Sequence, residues 1–308
     1  MTMKTKLTLF VAVMVVALFG VGCASTTTIS NTGAVVAWGL DHKGQSKVPA
    51  GLNDVVAISA GPHHSLALKQ DGTVVAWGSN QDVYSGGDAG QCRVPEGTRD
   101  IIGIAAGVRH SLALKKDRTV TWWGSNGRNQ GKPPMNLTNV VAIAGAFSGS
   151  IGLKQDGTVA RWGMVNGPPA GLTNVVSIAA GYWQYVVLKK DGTLNTWGWS
   201  GGDKGQYDVP DGLNNVVAIA AGNFHTLALK RNGTVVAWGA NGGAQVKVPQ
   251  GLDNVVAIAA GGSHSLALKK DGTVVAWGSG GGINVPAGLI NVIAISAGAG
   301  HSLALVAP

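Results

Sequence analysis

The chain has 308 residues, of which 48 are glycine and only 12% are charged, and its formal net charge is +8. This composition argues against a disordered chain and against a coiled coil, and it is typical of a β-rich globule with many turns. Helix-forming periodicity is nearly absent outside the first residues of the chain.

The N-terminus predicts a signal peptide. Lys4 and Lys6 precede an apolar run over residues 7–21, which is shorter than the roughly 20 residues of a membrane-spanning helix. The run ends at Cys23 in a segment that resembles a bacterial lipobox, where the cysteine is diacylated and becomes the new N-terminus. We expect a signal peptide over 1–23, a linker over 24–31 and lipid on Cys23. An ordinary secretory signal is the alternative. With Cys23 lipidated, Cys92 has no disulfide partner.

A hairpin motif recurs along the rest of the chain. In its clearest copy, residues 264–278 read HSLALKKDGTVVAWG, with two short apolar runs joined by a Lys-Asp-Gly turn. A preceding strand of the type VVAIAA completes each copy. We name the three strands A (254–260 in this copy), B (263–269) and C (273–278), and we predict a fourth, edge strand D near a recurring Val-Pro pair.

Seven copies predict seven blades. The Trp-Gly pair ends strand C seven times, at a spacing of 35 to 46 residues, which is the length of one four-stranded blade or one solenoid repeat. The chain begins with a lone strand C at residues 32–39 and ends with a lone strand B at 301–305. We therefore predict an all-β, seven-bladed β-propeller over 32–308, closed by pairing of Val35 to Trp38 with Ser302 to Leu305.

These copies resemble the regulator of chromosome condensation repeat family. The Gly-x-Val-x-x-Trp-Gly and His-Ser-x-Ala-Leu signatures carry the resemblance over residues 32–305. It implies a seven-bladed propeller, and phrases such as residues 206–210 (QYDVP) are similar to secreted bacterial members, among them a β-lactamase-inhibitory protein that acts through one propeller face. The exchange activity of the nuclear namesake does not carry over, because no residue motif transfers it.

Residues that recur in every copy are interpreted as scaffold. The repeated tryptophans are expected to fill the gaps between blades; they are Trp38, Trp77, Trp123, Trp162, Trp197, Trp238 and Trp277. A histidine opens strand B in five of the seven copies, with Gly149 and Gln184 in the other two. Because symmetry places these histidines on different blades, we expect no metal site and instead a hydrogen bond that holds the A–B turn.

The two ends of the blades differ in character. Six B–C turns hold eleven Lys or Arg and five Asp, which accounts for the whole charge of +6 that remains after Lys4 and Lys6 are removed. This basic ring is interpreted as a solvated surface, and weak attraction to anionic lipid or polysaccharide is the alternative. The A–B turns and C–D loops lie on the opposite face, where the copies diverge.

Repeat-breaking side chains on the A–B turn face are the candidate binding residues, since aromatic side chains on a rigid platform often anchor a partner. They are His63, Tyr84, Arg109, Phe147, Tyr182, Trp183, Tyr185 and Phe224. Glu96 is the only glutamate, and no catalytic constellation emerges.

The sequence thus predicts a non-catalytic, monomeric, extracytoplasmic binding module of the bacterial envelope. We expect an unidentified protein partner, no cofactor, no nucleic acid, and membrane contact only through a lipid anchor. Carbohydrate or cell-wall binding through the same aromatic residues is the first alternative, and a propeller hydrolase or lyase is the second.

Overall fold

A computed structural model describes residues 32–81, 86–164 and 166–308. The signal peptide, the linker, Cys23 and Tyr84 lie outside these residues. The described chain is all-β apart from two short 3-10 helices, η1 (Ser200–Gly202) and η2 (Gly281–Ile283). The strands are β1 (Ala34–Gly39), β2 (Val55–Ala60), β3 (His64–Lys69), β4 (Val74–Gly78), β5 (Ile101–Ala106), β6 (His110–Lys115), β7 (Val120–Gly124), β8 (Val140–Gly145), β9 (Gly149–Lys154), β10 (Val159–Gly163), β11 (Val175–Ala180), β12 (Gln184–Lys189), β13 (Leu194–Gly198), β14 (Val216–Ala221), β15 (His225–Lys230), β16 (Val235–Gly239), β17 (Val255–Ala260), β18 (His264–Lys269), β19 (Val274–Gly278), β20 (Val292–Ala297) and β21 (His301–Val306).

These strands form seven three-stranded antiparallel sheets. Six sheets use consecutive strands A, B and C of one copy, and the seventh joins β20 and β21 to β1. In that sheet Val35 lies opposite Leu305 and Trp38 lies opposite Ser302. The predicted pairing between the two ends of the repeat region is therefore confirmed.

The sheets follow one another in a circular order consistent with a seven-bladed propeller. Each strand A lies beside the strands A of the two neighbouring sheets, and β20 lies beside β2. These strands line a central channel of about 210 Å³, whose walls are mainly alanine, isoleucine and serine. Among the described residues, no helix has the length and apolarity to cross a bilayer.

We predicted a fourth strand near each Val-Pro pair; among residues 32–81, 86–164 and 166–308 no such strand is formed, and each sheet has three strands. In the first copy the segment folds into successive turns instead. Lys47 N–H donates to Gly44 O (3.1 Å) and Val48 N–H donates to Ser46 O (3.1 Å). Because these donors bond within the loop and Pro49 has no N–H, no donors remain in register for a further strand.

The recurring tryptophans fill the gaps between sheets, as predicted. Trp277, for example, ends β19 but packs with Leu227 and Leu229 of the preceding sheet. Its Nε1–H donates to Gln245 O at 2.9 Å, and that carbonyl also accepts a hydrogen bond from Ser265. Among the described residues, Trp197 Nε1 alone of the seven has no hydrogen-bond partner.

The recurring histidines join neighbouring sheets. His264 Nε2 lies 3.0 Å from Ser302 Oγ of the next sheet, and four more pairs repeat this hydrogen bond, namely His64–Ser111, His110–Ser150, His225–Ser265 and His301–Ser65. The bond therefore links blades and does not hold the A–B turn, which corrects our expectation. The imidazole covers Gly261, where a Cβ would lie 2.3 Å from the ring, so the glycine of this copy is sterically required. No cluster of three metal-ligating side chains occurs in the described part of the chain.

The tryptophan hydrogen bond yields a prediction. Trp277→Phe and Trp197→Phe remove the same part of a buried indole, but only Trp277 loses a hydrogen bond. We expect Trp277→Phe to lower the free energy of unfolding by about 1 kcal/mol more than Trp197→Phe does. Urea unfolding with unchanged denaturant slopes measures the difference. Equal losses would show that the hydrogen bond contributes nothing.

The histidines predict acid sensitivity. Burial is the first cause that lowers the pKa of His64, His110 and His301 to about 3, and of His225 and His264 to about 4. Unfolding returns each pKa to about 6.5, so the unfolded chain binds more protons below that pH. The stability conferred by neutral imidazoles is complete above about pH 6.5 and is lost as the pH falls towards 4, with a slope of up to about 1.4 kcal/mol per pH unit for each histidine.

Urea unfolding between about pH 7 and pH 4 measures this slope. His264→Gln copies the residue that the chain itself uses at Gln184, and it should reduce the slope by the share of one histidine. An unchanged slope in this variant would contradict the assignment.

Candidate binding face

Four of the predicted site residues meet on the A–B turn face. Phe147 follows β8, and Tyr182 and Trp183 follow β11 of the next sheet. The Phe147 ring stacks on Tyr182, with centroids 4.9 Å apart, and meets the edge of Trp183 at 4.6 Å. The Arg109 guanidinium lies over Phe147, 4.7 Å from the ring centroid. Three adjacent sheets thus supply one contiguous group of side chains.

The structure adds two residues that we did not predict. Trp199, which follows β13, lies 4.8 Å from Trp183 and remains 51% exposed. Arg128, from the loop after β7, lies 5.2 Å from the Phe147 ring. We call Phe147, Tyr182, Trp183 and Trp199 the aromatic cluster. Trp199 could have been found from the sequence, because the residue after Trp-Gly is Ser or Ala in four copies and Trp in this one.

Backbone contacts hold the aromatic cluster in place. Phe147 N–H donates to Tyr182 O across the sheet boundary at 3.2 Å, and Trp199 N–H donates to Trp183 O at 3.1 Å. Phe147 is only 4% exposed, whereas Trp199 is the open member of the cluster. The cluster therefore has a fixed base and an accessible edge.

Three other predicted residues lie elsewhere. Tyr185 is 4% exposed and stacks on Trp197 in the core between two sheets, with burial as the main cause that raises the pKa of its hydroxyl. Its assignment to the binding face is wrong. Phe224 and His63 are half-buried in the turns of other sheets. The ring of His63 lies edge-on to that of His42, with the two ring centroids 6.1 Å apart. Burial, His42 and Lys43 lower the pKa of His63.

Tyr185 is buried because, at one sheet boundary, a small residue replaces the usual large one and a large residue replaces the usual small one. At the other five boundaries with a His–Ser pair, a histidine faces a serine; here Gly149 stands in the histidine position and Tyr185 in the serine position. At the following boundary Gln184 replaces histidine. Its Nε2 donates to His225 O at 2.6 Å, and its Oε1 accepts from Thr226 Oγ1 at 3.0 Å. Two boundaries thus depart from the His–Ser pattern, and the one between Gly149 and Tyr185, which has neither histidine nor serine, lies beneath the aromatic cluster.

The chemistry of this face favours binding. Arg109 is buried over the Phe147 ring, whereas the exposed Arg128 provides positive charge next to the aromatic cluster. Cys92 donates its thiol to Ser79 O at 3.3 Å, and burial raises its pKa to about 12, so it is not an activated nucleophile. Within the described ranges no group of metal-ligating side chains accompanies it.

Comparison with known proteins agrees with this architecture. The family model described as "Regulator of chromosome condensation (RCC1) repeat" matches residues 55–82, 101–130, 216–245 and 255–281. No curated protein matches the sequence.

Several solved structures share the fold. Prp20p from Saccharomyces cerevisiae is 20% identical, with 91% of this chain and 94% of that chain covered and a TM-score of 0.72. Human WBSCR16 is 18% identical, with 88% of this chain and 99% of that chain covered and a TM-score of 0.67. The ectodomain of the Arabidopsis thaliana receptor kinase ACR4 is 21% identical, with 79% of this chain and 88% of that chain covered and a TM-score of 0.58.

At these identities the solved structures establish the fold alone, whereas the four matched segments coincide with four of the seven internal copies. The resemblance predicted from the copies is confirmed in four of them, which match the model of the regulator of chromosome condensation repeat, and the fold is shared with the solved structure of yeast RCC1 (Prp20).

Proposed function

We propose that this protein is a non-catalytic, extracytoplasmic binding module that holds a protein partner on its A–B turn face. The seven sheets form a closed, monomeric propeller in this proposal, and Cys23 carries the lipid that anchors the chain in a bacterial envelope. The apolar run over residues 7–21 followed by Cys23 supports export and anchorage. The pairing of β1 with β21 supports closure.

The aromatic cluster with its two arginines is the observation that carries the proposal. Tryptophan, tyrosine and arginine are enriched among the residues that contribute most to protein interfaces. Here they are held by backbone hydrogen bonds, so ordering of these side chains costs little entropy when a partner binds. Arg128, which is exposed, favours a partner segment that presents a carboxylate beside apolar side chains.

Structural relatives are compatible with this use of the fold. Prp20p is described with binding properties towards Gsp1p and histones, and yeast RCC1 (Prp20) has been solved bound to Kap60. These partners belong to the yeast protein; for the present chain they support only the idea that such a propeller holds other proteins.

Carbohydrate binding is the second candidate. The Trp183 and Trp199 rings lie 4.8 Å apart with 40° between their planes, and an exposed indole is a surface on which a sugar ring can stack. Binding to a glycan array with no protein captured from the envelope would favour this candidate.

Trp199→Ala tests the protein-binding proposal. Trp199 is exposed, so its loss should leave the fold intact while partner capture falls about 30-fold, the equivalent of about 2 kcal/mol. Leu40→Ala is the matched control, since Leu40 occupies the same position after Trp-Gly on another sheet and is 46% exposed. Cross-linked pull-down from the native envelope with quantitative mass spectrometry compares the captured proteins.

Two outcomes decide the proposal. Loss of one captured protein in Trp199→Ala but not in Leu40→Ala supports docking at the aromatic cluster. If both variants retain all captured proteins and unfold like the parent chain, the aromatic cluster is not the docking site.

A further inference from the structure

The B–C turn face carries an apolar rim at the centre. The second residue of every strand A is a β-bulge at the end of the channel nearest the B–C turns. All seven bulge residues are aliphatic and β-branched: Val56, Ile102, Val141, Val176, Val217, Val256 and Ile293. Ile102, Val176 and Val217 are 42% to 45% exposed. The other four are half-buried and pack partly against the core, so the exposed apolar surface of the rim lies mainly at these three residues.

Cations surround this rim. The first lysine of several turns pairs with the aspartate of its own turn, as Lys189 does with Asp191 at 3.6 Å and Lys269 with Asp271 at 3.8 Å. The cation at the tip of the turn is exposed and has no ion pair within the described chain. These tip residues are Lys116, Lys190, Arg231 and Lys270, and their counterparts in the other two turns are Gln70 and Gln155.

Acidic residues reduce the charge of this face without cancelling it. Asp54 pairs with Lys69 at 3.1 Å, and Asp100 and Asp253 also lie at the starts of strands A. With these aspartates counted, the excess of positive charge is concentrated on the sheets β5–β7, β11–β13 and β14–β16.

The N-terminal segment enters the fold on the same face. Gly33 occupies the place that a B–C turn has in the other copies, and it exchanges hydrogen bonds with Val55 at the start of β2, at 2.9 and 3.2 Å. Residues 24–31 span at most about 30 Å when fully extended. Lipid on Cys23 would therefore hold the B–C turn face, and not the A–B turn face, close to the bilayer.

We propose that the B–C turn face docks on an anionic lipid surface, with the aliphatic rim at the interface and the tip cations among the headgroups. This inference rests on the lipid anchor of the proposed function. Charge complementarity, the apolar rim and the point of chain entry all select the same face, and a polybasic surface combined with a single lipid anchor is a recurrent way to hold a protein on a membrane. The aromatic cluster then points away from the bilayer.

Lysine footprinting tests the orientation. The full chain, processed and lipidated, is reconstituted in phosphatidylcholine vesicles with or without about 30 mol% phosphatidylglycerol and treated with a membrane-impermeant amine-acylating reagent. Mass spectrometry compares Lys116, Lys190 and Lys270 with Lys43 and Lys204 on the A–B turn face. We expect about threefold protection of the first group in anionic vesicles only, with the protection lost in about 0.5 M NaCl.

Matched variants sharpen the test. Lys116→Glu/Lys190→Glu and Lys43→Glu/Lys204→Glu change the charge equally, but only the first should abolish protection of Lys270. Ile102→Ser/Val217→Ser should weaken that protection without altering its salt dependence. Equal retention of protection in both charge variants would contradict docking by the tip cations.

Flotation of the same samples separates the two proposals. Vesicles that float with the protein while both lysine groups label equally would overturn the docking face and leave the anchor in place. Failure to float with either vesicle would overturn the anchor and the docking face together. Protection by a soluble acidic polysaccharide but by neither vesicle would also overturn lipid docking.

Discussion

Every sheet of this protein is apolar on both faces, and the whole architecture depends on covering those faces. Strand B is buried over its first five residues in each copy, as in β18. Leu266 and Leu227 have no exposed surface, and burial of one leucine side chain contributes about 1.5–3 kcal/mol. A three-stranded sheet cannot cover two apolar faces alone. Neighbouring sheets must do so, with one tryptophan in each gap, and the pairing of β1 with β21 lets the sheet that joins the first and last copies take part.

Much of this architecture could be predicted because the repeat supplies its own evidence. The count of Trp-Gly pairs predicted the number of sheets, and the incomplete first and last copies predicted the pairing of Val35 with Leu305. The fourth strand could not be predicted from the same pattern. Whether Val48 joins a sheet depends on where its N–H bonds, and the loop offers Ser46 O at 3.1 Å.

The candidate site was only partly predictable, because departures from the repeat have two different causes. Trp183 departs on a surface turn. Tyr185 departs inside the fold, where Gly149 of the preceding sheet replaces a histidine and leaves room for the larger ring. The two residues lie two positions apart, and in the sequence both are aromatic departures from the repeat. They could be separated only by pairing each with its neighbour on the adjacent sheet.

The irregular boundary also explains why the aromatic cluster lies where it does. Between β8–β10 and β11–β13 the chain lacks the His–Ser hydrogen bond, and Trp197 Nε1 lacks the carbonyl partner that other copies obtain from the loop containing Gln45, Gln91, Gln206 or Gln245. Stacking of Phe147 on Tyr182 closes the same boundary from above. These two rings therefore support the fold, whereas Trp199 is exposed and closes no boundary between sheets.

The two faces of the propeller are under different constraints, and this difference supports giving them different roles. On the B–C turn face, backbone hydrogen bonds tie five of the six turns to the next sheet, as from Val292 N–H to Gly272 O at 3.1 Å, so the geometry of these turns is fixed and their tip side chains are free to vary. A fixed geometry with repeated cations suits a chemically uniform surface such as a bilayer. On the A–B turn face the loops differ in length and sequence, and a single group of aromatic side chains breaks the symmetry. Recognition of one particular partner requires such an asymmetric surface, which a regular ring of identical turns cannot provide.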